Sequence, residues 1–134
     1  MANSYVDYFD RTTRINDQFL RIIVSIMHDV AYKQTDVTSD VLKLIDEWQS
    51  ETVNAPPGLI TLDLSGFWRT DNGRSLLKSL ADQSEQAVCR YGQFVPVTFL
   101  NSIIPKTDIC YVDTDTSLIL RELKKLQDIF NSYQ

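Results

Sequence analysis

Residues 4–33, SYVDYFDRTTRINDQFLRIIVSIMHDVAYK, decide how this chain is read. Tyr5 and Phe9, then Ile15, Phe19, Ile22, Ile26 and Val30, fall at helical intervals, and Tyr8, Leu20, Ile23 and Met27 widen the stripe. That pattern predicts a helix from about Ser4 to Lys33, buried on two sides. Asp7, Asp10 and Asp17 would lie toward its positive end, where the macrodipole favours carboxylates. Thr12 and Thr13 are its weak point, because β-branched side chains lose rotamer freedom in a helix. A break at this pair would give two helices in place of one.

Outward from that segment, the polar stretch Gln34-Thr35-Asp36 makes a turn. A second helix is predicted from about Thr38 to Glu51, capped by Thr38 or Ser39. Val41, Leu44, Ile45 and Trp48 form its inner face, and Lys43, Glu47 and Glu51 point out. Asn54-Ala55-Pro56-Pro57-Gly58 ends it. Ile60, Leu62 and Leu64 then alternate with Thr61, Asp63 and Ser65, the period of a half-buried strand. A third helix is expected from a cap at Asp71 or Asn72 to Tyr91, with Gly92 just past its end. Phe94–Ile104 reads equally as extended chain or short helix, with Pro96 opposing a central strand. Ile109–Val112 is β-prone, and Thr116–Tyr133 is a last helix capped from Asp113-Thr114-Asp115-Thr116. The expected fold class is mainly α (α+β by strict count), with about four helices packed together and one to three short strands.

A chain of 134 residues fits one domain, 1–134, large enough to bury a core without staples. No apolar run reaches the length a bilayer demands, and Met1–Asp10 lacks the order of a secretory signal, so a cytoplasmic, membrane-free protein is expected. Cys89 and Cys110 are expected as free, mostly buried thiols. A net charge of −5 without a basic cluster opposes direct nucleic-acid binding. The acidity is concentrated: Asp40, Asp46, Glu47, Glu51, Asp63 and Asp71 stand between Val37 and Asn72 against Lys43 and Arg69.

Candidate chemistry is sparse. Ile109–Val112 followed by Asp113-Thr114-Asp115-Thr116, with Ser117 next, resembles the strand and Asp-x-Asp-x-Thr or Ser nucleophile string of haloacid dehalogenase-type phosphatases. The resemblance covers only that string. The family's further strands and its downstream Lys and acidic pair have no counterpart, since a single helix follows. The same residues read as an N-cap box. With Asp108 they would offer oxygens to a divalent cation, but without the glycine turn and closing Glu of a calcium loop. His28 is the only histidine, and Asp29 would orient it if it served Cys89 as a base. Gly58, Gly66, Gly73 and Gly92 stand apart, so no phosphate-cradling loop can be drawn. No catalytic residue, metal ligand or cofactor is assigned.

For binding, Phe67-Trp68-Arg69 combines the residue types that anchor interfaces, on a segment between two regular elements. Glu47, Glu51 and Asp63 supply an acidic surface that suits a basic protein partner. The expected function is a small acidic protein-binding module: an inhibitor, an immunity-type neutraliser or an adaptor. The wide stripe of the first helix also suits homodimerisation. The alternatives are a small metal-dependent hydrolase using Asp113 and Asp115, and an acidic mimic of nucleic acid.

Overall fold

The computed structural model describes residues 2–105 and 111–132. The chain opens not with a helix but with an antiparallel hairpin. Asn3–Tyr8 (β1) pairs with Arg11–Asn16 (β2), in register from Asn3 opposite Asn16 to Tyr8 opposite Arg11. Ser4, Val6 and Tyr8 point inward while Tyr5 and Asp7 face solvent, an alternation that only a strand can satisfy. Thr12 and Thr13, poor in a helix, suit a pleated ribbon. The interruption foreseen at these threonines is therefore real, but it separates a hairpin from a helix. Asp7 accepts a hydrogen bond from the Thr12 hydroxyl across the ribbon instead of serving a helix dipole.

Phe9 and Asp10 form the two-residue turn, and Phe9 takes the left-handed conformation at φ +56°. Tight hairpin turns demand such a backbone, normally from Gly or Asn. Phe9 tolerates it because its ring stacks on Trp68, centroids 5.2 Å apart, and meets Tyr8 edge-on. Aromatic contact offsets the local strain.

Helix α1 runs from Asp17 to Tyr32, and Asn16 is at once the last strand residue and its cap, accepting from the Gln18 N–H at 2.9 Å. It is followed by α2 (Ser39–Asn54), α3 (Ser65–Trp68), α4 (Asp71–Cys89), β3 (Phe94–Val95), α5 (Val97–Ile103), β4 (Thr114–Asp115) and α6 (Thr116–Asn131). The class is mainly α, or α+β by strict count, with six helices and two two-stranded sheets among the described residues. The N-terminal hairpin takes the strands beyond the number expected. Every residue from Leu20 to Met27 is buried, because α2, α4, α5 and α6 all pack against α1. The stripe that suggested a dimer is consumed inside the monomer.

Other boundaries fall near their expected places. Thr38 caps α2 through its side chain. For α4 the cap is Thr70, one residue before the expected Asp71, and Gly92 adopts φ +77° after the helix. Phe94–Ile104 divides between the two readings: Phe94–Val95 pairs with Thr114–Asp115, and Pro96 then starts α5. The expected strand at Ile109–Val112 falls largely on residues 109 and 110, outside the described ones, and Tyr111 and Val112 belong to no strand. The expected helix end at Tyr133 likewise lies outside them.

The segment 59–64 keeps the predicted alternation, with Ile60, Leu62 and Leu64 buried, but joins no sheet. Its backbone groups find side chains instead. The Ile60 N–H donates to Ser4 Oγ at 3.1 Å, the Thr61 N–H to Glu51 Oε1 at 3.4 Å, and the Asp63 carbonyl accepts from Trp48 Nε1 at 2.9 Å. Hairpin and segment are further joined by Asp17. One carboxylate oxygen accepts from the Ser4 hydroxyl at 2.5 Å and the other from the Gly58 N–H at 2.8 Å.

Tyr8 lies at the aromatic centre of the core, against Phe9, Trp68 and Phe130. Its hydroxyl is buried without a hydrogen-bond partner among the described residues. Since an unmet buried hydroxyl costs about 1–3 kcal/mol, Tyr8→Phe is expected to leave stability unchanged or raise it by about 1 kcal/mol in urea denaturation. A loss of that size would show that the hydroxyl is satisfied in solution.

Candidate functional site

The residues singled out in the sequence separate by depth. Phe67 is 1% exposed, packed against Trp48 with ring centroids 5.2 Å apart. Trp68 is half-buried between Phe9 and Tyr8, and Arg69 is exposed. Phe67 is therefore a support for a surface and not part of one. Arg69 lies close enough to Asp63 to favour its ionised form, while Asp71 pairs with Arg74.

The acidic residues lie on two adjoining stretches of chain. Glu47 and Glu51 stand one turn apart on α2, and the segment 59–64 runs alongside, tied by the Thr61–Glu51 and Trp48–Asp63 hydrogen bonds. Glu47 and Asp63 are exposed and Glu51 half-exposed, and the two hydrogen bonds hold the stretch that carries Asp63 against the helix that carries Glu47 and Glu51. Leu59, two residues before Thr61 on that stretch, is 64% exposed. Its outward position was implicit in the sequence, because burial of Ile60, Leu62 and Leu64 leaves the odd-numbered residues facing water.

The Asp63 carboxyl is held below the usual aspartate range, first by the Ser65 hydroxyl at 2.6 Å and then by the Ser65 N–H at 2.9 Å. Asp115 is lowered in the same manner by the Ser117 hydroxyl and N–H, at 2.7 and 2.8 Å. A carboxylate that is more acidic folded than unfolded stabilises the fold above its unfolded pKa. The contribution is lost as pH falls through the folded value. Stability is accordingly expected to decline below about pH 4, with a shallower decline in Asp63→Asn/Asp115→Asn. Urea midpoints at neutral and acidic pH measure the difference; equal slopes for variant and parent would contradict it.

The residues proposed for catalysis do not converge. Asp115 caps α6, and Asp113 accepts from the Val97 N–H at 2.8 Å, serving the start of α5 where Pro96 has no side-chain acceptor. His28 is elsewhere, its Nε2 2.8 Å from Asp46 Oδ1 and its ring stacked on Tyr32. The Tyr32 hydroxyl donates to the same carboxylate, which raises its pKa. Asp29, the expected orienter, pairs with Lys33 at 2.9 Å instead. Asp46 was not anticipated as the histidine's partner, since contacts between helices leave no mark in local spacing. Cys89 is a free thiol, exposed and not buried as expected; Cys110 and Asp108 lie outside the described residues. Among the described residues no three His, Cys, Asp or Glu side chains are grouped as metal ligands, and no helix is long and apolar enough to cross a membrane.

Comparison of the chain with protein-family models, with curated proteins and with solved structures gives no match.

Proposed function

We propose that this domain is a protein-binding module, of the inhibitor, immunity or adaptor kind, acting from the cytoplasm on a partner with a basic surface. The reading is supported by one observation: the segment that carries Asp63 and the exposed Leu59 is hydrogen-bonded along the helix that carries Glu47 and Glu51. An apolar projection flanked by carboxylates suits a partner that offers a shallow apolar pocket rimmed by Lys or Arg. Complementary charge speeds encounter and fixes orientation, while the apolar contact slows release. Buried Phe67 and Trp48 brace the surface from beneath, and the lowered pKa of Asp63 keeps it charged in more acidic solution than an ordinary aspartate. Asp113 and Asp115 are engaged as helix caps, which weakens the hydrolase alternative.

The test is capture from native lysate with the immobilised domain, followed by mass spectrometry and titration of the recovered protein. Glu47→Lys/Glu51→Lys/Asp63→Lys is expected to weaken binding at least about tenfold, and binding to the parent should fall as salt rises. Asp113→Asn/Asp115→Asn should bind as the parent does. Capture of the same protein by the triple variant with undiminished affinity would overturn the proposal. Displacement of the partner by duplex DNA would make the acidic surface a nucleic-acid mimic.

A further inference from the structure

Where the hairpin enters α1, a cleft of about 390 Å³ opens between the start of that helix and the turn that follows α2. Ala2, Ala55 and Pro57 give it apolar walls, and Asp17 and Arg21 supply two opposite charges. Both charged residues are more than nine-tenths buried, Asp17 at 8% and Arg21 at 8% exposure. They lie one turn apart on α1, yet no ion pair joins them, and among the described residues no carboxylate pairs with Arg21. Burying opposite charges without pairing them is costly, and breaking up such a pair gains nothing for the fold by itself.

Each charge is held in position by the backbone around it. Arg21 Nε donates to the Thr52 carbonyl at 2.9 Å, which fixes the plane of the guanidinium; the guanidinium also bonds the Tyr111 hydroxyl, and its other terminal N–H groups are the remaining donors. Asp17 is fixed by Ser4 and Gly58, one hydrogen bond to each oxygen, with lone pairs to spare. The first backbone N–H groups of α1 are occupied by Ala2 and Asn16, so the helix terminus is not the recognising element. A simple anion at Arg21 would be repelled by Asp17, and a simple cation at Asp17 by Arg21. A molecule carrying both charges on neighbouring atoms meets neither penalty, because positions one helical turn apart are only about 5–6 Å from one another.

We propose that this cleft binds a free α-amino acid with an apolar side chain. Its ammonium group donates to Asp17, its carboxylate accepts from the terminal nitrogens of Arg21, and its side chain lies on Ala2, Ala55 and Pro57. The volume is at the small end of ligand pockets, which suits one residue and not a longer peptide. This site is separate from the acidic recognition surface and does not depend on that surface having a protein partner.

The test is calorimetric titration of the full chain with L-leucine, then with the other standard amino acids, 4-methylpentanoate and leucinamide. Leucine is expected to bind and to raise the Tm. The two analogues, each lacking one charge, should bind at least about tenfold more weakly. Arg21→Gln should abolish binding. Because that change is made in a buried position, Ala55→Leu provides a second variant, which narrows the cleft and leaves both charges in place. It should retain the parent's circular dichroism and lose leucine binding at least about tenfold. Failure of every standard amino acid to bind at millimolar concentration would overturn the proposal. So would equal binding of 4-methylpentanoate, or unimpaired binding by Ala55→Leu.

Discussion

Phe67→Ala is expected to lower the free energy of unfolding by about 3–5 kcal/mol, whereas Arg69→Ala changes it by less than about 0.5 kcal/mol. The two residues are neighbours in a short aromatic and basic string, and composition alone gives them the same role. Depth separates them. Phe67 is fully enclosed, tilted against Trp48, while Arg69 projects into water. Removing the phenyl ring leaves a cavity that α3, only one turn long, is poorly placed to close. Arg69 loses a screened attraction to Asp63 and little else. Urea denaturation of both variants, with unchanged m-values, measures the contrast. A loss below about 1.5 kcal/mol for Phe67→Ala would place the ring outside the core and return it to the binding surface.

Asp17→Ala is expected to be comparably damaging, at about 1.5–3 kcal/mol for each charge-assisted hydrogen bond removed. The Ser4 hydroxyl and the Gly58 N–H would both lose their acceptor in a buried setting. The effect should also be local. Ser4 is the group that receives the Ile60 N–H, so loss of Asp17 frees both the first strand and the turn after α2. Hydrogen exchange is expected to show β1 and residues 58–60 opening together, with α4 and α6 protected as before. Uniform loss of protection throughout the chain would mean that Asp17 supports the whole fold and not this junction.

Much of the helical framework was readable from local signals. Thr38 as a cap, Gly92 after α4 and the Asp113–Thr116 string before α6 each announce a helix end by chemistry that needs no distant partner. The hairpin was not readable in that way. Tyr5 and Phe9 satisfy a helical interval as well as Ser4, Val6 and Tyr8 satisfy alternation, so the decision rests on what each side chain meets. Tyr8 meets Phe130, Phe9 meets Trp68, and the Arg14 carbonyl accepts from Lys125, all far away in sequence. The strand expected at 59–64 failed for a related reason. Its burial pattern was correct, but a strand also requires a neighbour of the same kind, and here side chains of β1 and α2 took that place. The acidic bias between Val37 and Asn72 was visible as composition. That the stretch carrying Asp63 lies against the helix carrying Glu51 depends on the path of the chain after Gly58. Asp17 was legible only as a carboxylate near the positive end of a helix, and Arg21 gave no local signal at all.

The hairpin rests on α6, with Tyr8 against Phe130 and Lys125 reaching the Arg14 carbonyl. During synthesis the hairpin emerges well before the helix it rests on and settles only after that helix has followed. Until α6 has emerged, the inner side of β1 and the part of α1 that faces α6 lack their cover. The nascent protein should therefore depend on a holding chaperone until translation has passed α6, and stalled products truncated before Thr116 should be prone to aggregation and rapid proteolysis.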